Sequence, residues 1–377
     1  MKKSLILTLA FLLLILNSYA QDKDFILNGK IDNIQNETLY LFKDTGESRE
    51  FINSIICHND AFQFSGKISQ SIAAELRLSD LREIRFFISP GQMHLAIPVT
   101  KFKYGFITDK LKGSEAQDRY DDFQSKLHQN KVRKQKITDA LRLPEVKNDS
   151  IQTANFLSQY RKLNRFKQAY FYKYASSPVI PYLIYQDFFQ SKCNIADIKE
   201  YLTILNLANP KGLYVQNLNK RVHITEQFLS NGKFPKFKAT TLEGDVFSLE
   251  NTTGKNVLLY FWRAWTPENN QKYYKELEKL SLTNPNLKII SIIRNSSFNK
   301  THITGTNNID RWKPTPLNSQ NIVEIESLDN SVEIVRYLDR HFHAFLIQPN
   351  GNISYHQDHF DPELLKFELS KHLSNRK

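Results

Sequence analysis

The sequence predicts a chain of three consecutive regions: an antiparallel β-rich amino-terminal part, a helical middle and an α/β carboxy-terminal part. Three observations carry this. From about residue 24 to 100, short runs of β-branched and aromatic residues are broken at regular intervals by Gly, Asn and Asp. The apolar period then lengthens to that of a helix until about residue 230. Beyond Gly232, two near-continuous apolar runs, residues 257–262 and 287–293, flank a helical pattern, as in sheets covered on both faces.

Ahead of the first strands, Lys2-Lys3, an apolar run from Leu5 to Leu16 and Ser18-Tyr19-Ala20 have the form of an export signal over residues 1–20. The run is shorter than the roughly 20 residues of a membrane span, and Gln21 stands where a lipid-anchored protein needs cysteine. An exported chain without stable membrane insertion is expected.

The β-rich region, residues 21–111, opens with Phe25–Ile31, Thr38–Phe42 and Phe62–Gly66 and continues with Ala74–Leu78, Arg85–Ile88 and Met93–Ile97. Ser89-Pro90-Gly91-Gln92 reads as a turn, with proline fixing φ and glycine supplying a positive one. A small antiparallel sandwich or barrel-like sheet follows from strands of this spacing.

In the middle region, residues 112–231, Phe156, Tyr160, Leu163, Phe166 and Tyr170 recur at helical spacing, and Ile195–Leu202 is amphipathic up to Asn209-Pro210-Lys211-Gly212. Lys126, Lys131, Arg133, Lys134 and Lys136 form a basic cluster with no acid between Asp122 and Asp139. It reads as a solvated helix face, the alternative being a patch for an anionic partner. The chain's formal charge of +12 identifies no partner by itself, and an exported protein meets little nucleic acid, so none is expected. The two cysteines, Cys57 and Cys193, lie far apart in sequence and outside any C-x-x-C context, and they are expected to be buried thiols.

The last region, residues 232–377, runs strand (residues 257–262), helix (Gln271–Leu282, with Tyr274, Leu277 and Leu280 on one side), a break at Asn284-Pro285-Asn286 and a second strand. A hairpin turns at Gln348-Pro349-Asn350-Gly351, and Asp361-Pro362-Glu363 starts a final helix with an N-cap acid and proline in the first turn.

This order, with Phe234-Pro235-Lys236-Phe237 as lead-in, Leu242–Leu249 as a hairpin and Gly254-Lys255-Asn256-Val257 before the first buried strand, resembles the exported thioredoxin-like family of TlpA and ResA type, of the wider AhpC/TSA redoxin group. The resemblance implies a thioredoxin-like fold, a periplasmic or cell-envelope location in a Gram-negative bacterium, and thiol-disulfide chemistry from a W-C-x-x-C turn. The amino-terminal strands resemble the small β domain that precedes such domains in envelope proteins.

The implied chemistry fails on the residues. Leu258–Asn269 reads L-L-Y-F-W-R-A-W-T-P-E-N, so the cysteine positions hold Thr266 and Asn269. A threonine hydroxyl cannot form a disulfide, and an amide cannot resolve one. The facing proline position holds Phe342, before which a trans peptide bond is expected. The expectation is a degenerate active site, a pseudoenzyme without cofactor, whose old substrate groove (Trp265, Thr266, Pro267, Glu268, Phe342 and His343) binds a peptide or protein partner. The alternative is a thiol-disulfide oxidoreductase-family protein acting through other residues or a partner's thiols. His341, His343, His356 and His359 are weak zinc candidates, read as exposed or edge-strand histidines.

Overall fold

A computed structural model of the chain describes residues 23–34, 36–80, 82–102, 105–190, 192–241, 243–252, 254–262, 267–293, 322–328, 344–357 and 362–373. The chain divides into two compact units, Met1–Gln186 with Asp197–Asn219, and Asp187–Ala196 with Lys220–Lys377.

The first unit begins with eight strands: β1 (Lys23–Asp32), β2 (Thr38–Asp44), β3 (Arg49–Ile56), β4 (Ala61–Ile68), β5 (Ile72–Arg77), β6 (Glu83–Ile88), β7 (Gly91–Pro98) and β8 (Leu111–Lys112). They form two four-stranded sheets, ordered β4-β1-β7-β8 and β3-β2-β5-β6. Strand β4 buries Phe62, Phe64 and Ile68 between exposed neighbours, and β7 does the same with Met93, Leu95 and Ile97, giving each strand one wet face. Strand β5 is buried at every position, charged residues included. Two features differ from the sequence reading. β3 was not anticipated, because none of its residues is buried and its pattern has no clean period of two. β1 and β7 pair in parallel, from Phe25 opposite Gly91 to Asp32 opposite Pro98; the chain visits the other sheet between them, and that supplies the long connection a parallel pair needs.

The helices of the middle region follow: α1 (Glu115–Ala140), α2 (Pro144–Lys147), α3 (Ser150–Asn164), α4 (Phe166–Lys173), α5 (Val179–Phe189), α6 (Ile195–Ala208) and α7 (Leu213–Asn231). Ser114 caps α1 by accepting from the Gln117 amide at 3.1 Å. The Gln117 side chain accepts from Phe87 N at 2.8 Å and donates to Ile107 O at 2.9 Å, which fastens the first turn of α1 to β6. The aromatic stripe read from the sequence is split between α3 and α4 by a break at Arg165, and of its five residues only Tyr170 is fully buried.

Tyrosines fasten α5 and the start of α7 to the sheet. Tyr182 donates to Asp44 Oδ2 at 2.9 Å. Tyr214 donates to Asp44 O at 2.6 Å and accepts from Ala73 N at 2.9 Å, so one hydroxyl joins β2 and β5. The turn beneath them needs Gly46, which has φ +86° and lies under the Tyr185 ring, where a Cβ would sit 3.1 Å from a ring carbon.

The second unit contains β9 (Lys238–Thr241), β10 (Val246–Ser248), β11 (Asn256–Trp262), α8 (Pro267–Thr283), β12 (Leu287–Ile293), β13 (Ile322–Leu328), β14 (Ala344–Ile347), β15 (Ile353–Gln357) and α9 (Pro362–Leu373). Its sheet is ordered β10-β9-β13-β12-β11-β14-β15. β11 lies inside it, parallel to β12 and antiparallel to β14. Its residues alternate between two cores. Val257, Leu259 and Phe261 pack with Phe228, Phe234, Phe237 and Phe345, whereas Leu258 and Tyr260 pack with Leu277 and Leu280 of α8 and Leu365 and Leu369 of α9. This is why the run has no polar alternation. At the hairpin, Gln348 N donates to Asn352 O at 2.8 Å and Gly351 takes φ +84°. β13 was missed, although Ile322-Val323-Glu324-Ile325 has strand composition. Asp361, expected to cap α9, lies outside the described residues.

Among the described residues no helix is long and apolar enough to cross a membrane. Tyr214→Phe removes a hydroxyl that satisfies a buried amide and a buried carbonyl, and an orphaned buried group costs about 1–3 kcal/mol. Thermal unfolding of the variant should show the first unit melting several degrees lower, with the second unit unchanged.

Candidate functional site

One end of the second unit's sheet collects the chain segments that the sequence marks. β11 ends at Trp262, and α8 starts at Pro267. β14 enters the sheet at Ala344, opposite Tyr260 of β11. The strand that leads into α8 and the strand that follows His343 therefore have their ends on the same side. The backbone of Pro267, Glu268 and Asn269 forms the first turn of α8, a helix of 17 residues whose amino-terminal end carries the positive pole of its dipole. In a redox protein that pole would favour a thiolate. Trp265, Thr266, His341, Phe342, His343 and His359 lie outside the described residues. His356 is exposed on β15, an edge strand, in register with Phe345. Among the described residues no group of three or more His, Cys, Asp or Glu side chains is arranged to hold a metal ion.

No cysteine falls between residues 194 and 377. Cys57 and Cys193 are thiols rather than halves of a disulfide; Cys57 is buried, and Cys193 is half-buried where a buried thiol was expected. The Cys57 thiol donates to Ala61 O at 3.3 Å. Burial, and next the charge of Asp60, push its pKa up, which is the opposite of what a reactive thiolate needs.

The sequence reading passed over a dense group of ionisable side chains in the first unit. Asp44, Glu75 and Glu83 alternate in space with Arg49, Arg77 and Arg85. Arg49 Nε donates to Glu75 Oε2 at 3.0 Å, and Arg77 Nε donates to Glu75 Oε1 at 2.9 Å. Arg49 also pairs with Asp44, and Arg85 with Glu83. Arg77 reaches Glu83 at 3.6 Å, and its guanidinium lies 4.9 Å from the centre of the Phe42 ring. The register explains the grouping: Glu75 stands opposite Arg85 and Arg77 opposite Glu83 on paired strands. Two Glu-x-Arg triplets, Glu75-Leu76-Arg77 and Glu83-Ile84-Arg85, were the signal available in the sequence. Three acids facing three guanidiniums leave no formal excess, and the group acts as a strut between the strands.

The two glutamates divide the work unequally. Burial alone would raise the Glu75 carboxyl, but Arg77, a hydrogen bond with Glu83, and Arg49 outweigh it and hold the group below the ordinary glutamate range. Burial raises Glu83, and the negative Glu75 raises it further against the pull of Arg85. A depressed carboxyl stabilises above its unfolded pKa of about 4.3, and that contribution fades as pH falls through the lowered folded value. A raised one stabilises below about 4.3 and loses that contribution as pH rises. Glu75→Gln, which removes the charge shared by two guanidiniums, should therefore lower stability at pH 7 by about 3 kcal/mol or more, with the deficit shrinking as pH falls below about 4.3. Glu83→Gln should cost clearly less at pH 7. Thermal melts of both variants between about pH 3 and 7 test this, and equal deficits at pH 7 would contradict it.

Comparison with known proteins adds two family matches. Residues 25–120 match a domain of unknown function, DUF4369, and residues 231–356 match the AhpC/TSA family. Among solved structures the chain is similar to a putative thiol:disulfide interchange protein DsbE from Chlorobium tepidum, at 17% identity over 37% of this chain and 95% of that one, TM-score 0.28. It is also similar to a thiol:disulfide interchange protein from Bacteroides sp. (18% identity, 39% and 91% covered, TM-score 0.27) and to yeast Sco1 with copper bound (15%, 39% and 95%, TM-score 0.26). Nothing among curated proteins matches the sequence. The family match at residues 231–356 takes in β11, α8, β12 and the β14–β15 hairpin, which with α9 beyond it follow one another in the order expected of a thioredoxin-like fold. The carboxy-terminal part of the chain is thus an AhpC/TSA redoxin domain of thioredoxin-like fold, placed after a DUF4369 domain.

Proposed function

We propose that this chain is an exported, non-catalytic member of the redoxin group that binds a peptide or protein partner in the cell envelope of a Gram-negative bacterium. The observation that carries the reading is a redoxin domain without a single cysteine. Exchange with a substrate disulfide begins with a thiolate attacking one sulfur and ends with a second thiol releasing the mixed disulfide. Thr266 and Asn269 supply neither sulfur. Peroxide reduction by a redoxin fails at the same point, for want of a cysteine to oxidise. The sheet beside the former active site keeps its buried packing, and a groove at the ends of β11 and β14 needs only shape and apolar side chains to hold an extended peptide. Trp265, Thr266, Pro267, Glu268, Phe342 and His343 are its proposed lining. Export follows from the pattern of residues 1–20.

Two measurements test the reading. In a dithiothreitol-driven insulin reduction assay the protein should leave the rate at background, and replacement of Cys57 and Cys193 by serine should change nothing; turnover that survives those replacements would overturn it. A reduced, carboxymethylated model polypeptide should bind, and Trp265→Ala with Phe342→Ala should weaken that binding at least tenfold. Binding that ignores both substitutions would move the partner site elsewhere.

A further inference from the structure

The charge of this chain is concentrated in one place. Between Phe123 and Tyr174 there are twelve Lys and Arg against three acids, a surplus of nine, whereas the whole chain carries +12. The structure places this segment on α1, α2, α3 and α4. Beyond Phe123, α1 buries only Asn130 and Ile137, and α3 buries nothing. Asn130 donates to Leu163 O at 3.1 Å and so ties α3 across α1. Lys131, Arg133 and Lys136 are exposed, and among the described residues none of them joins an ion pair.

Helical geometry separates the two sides of α1. Opposite the stripe of Asn130 and Ile137 lies Val132, flanked by Lys131 and Lys136, while Arg133 borders the stripe. Val132 is exposed, and so are Leu143 and Ile151 at the turn between α1 and α3 and Leu157 on α3. Ile151 is 74% exposed in the first turn of its helix. Polyanions such as nucleic acid would match the lysines but gain nothing from bare aliphatic side chains beside them. A bilayer with anionic headgroups matches both, drawing the cations to its phosphates and taking the aliphatic groups into the acyl boundary.

We propose that the α1–α3 hairpin is a docking surface for anionic phospholipid, which holds the protein on a membrane surface without spanning it. The sequence alone read the basic cluster as a solvated face. The unpaired cations and the exposed aliphatic residues at the turn assign it a partner.

The test uses the intact chain carrying Ile151→Trp, because the native tryptophans lie at positions 262, 265 and 312 and the new one reports on the hairpin alone, not on residues 1–20. Phosphatidylglycerol vesicles should shift the added emission to shorter wavelength, and phosphatidylcholine vesicles should not. Combined Lys131→Gln, Arg133→Gln and Lys136→Gln should reduce partitioning at least tenfold, with the thermal melt unchanged. Ile151→Asp in the native chain should reduce co-sedimentation at least threefold. The proposal fails if the tryptophan does not shift, or if soluble polyphosphate shifts it equally. It fails as well if phosphatidylcholine is bound equally, or if binding survives charge neutralisation or Ile151→Asp.

Discussion

Burial of β11 on both faces is the constraint from which the second unit follows. Val257, Leu259 and Phe261 face one core and Leu258 and Tyr260 the other, so the strand is stable only with a cover on each side. Each such side chain contributes about 1.5–3 kcal/mol when fully removed from water. Leu277 and Leu280 of α8 and Leu365 and Leu369 of α9 cover one side, and Phe228, Phe234 and Phe237 cover the other. Once both covers are in place, α8 has to start directly beyond the end of β11, and the β14–β15 hairpin supplies the antiparallel neighbour.

The resemblance to redoxins places the two sulfurs at residues 266 and 269. Residues 266 and 269 follow the strand, whereas the buried material lies in residues 257–261 and 277–280. The family match at residues 231–356 is evidence of fold rather than of activity.

The sequence was most readable where one physical rule dominated. Uninterrupted apolar runs gave β11 and β12, proline and glycine gave the hairpin turn at residues 348–351, and alternation gave β4 and β7. It was least readable where the rule was tertiary. β3 has no buried face to pattern it, and β13 offers only a short mixed run among strands contributed from elsewhere in the chain. The charged strut needed the register of β5 and β6, since Glu75 and Arg85 are neighbours only once the strands are paired. At the candidate site the sequence alone shows Thr266 and Asn269 where the resemblance implies cysteines, because an absent sulfur requires no coordinates to recognise. The identity of a bound peptide depends on groove shape, which residue types along a chain do not encode.

Charge is handled in two opposite ways within the first unit, and the contrast bears on function. Inside, Asp44, Glu75 and Glu83 face Arg49, Arg77 and Arg85, because an unpaired ion removed from water is costly. On the hairpin, Lys131, Arg133 and Lys136 remain in water, where an unpaired cation loses no solvation and is available to a partner. Solubility could be met by cations scattered over the surface. Nine of the chain's twelve surplus charges instead fall in one segment, beside aliphatic side chains that solubility would exclude. That combination favours a surface shaped by what it touches over one that merely keeps the protein dissolved.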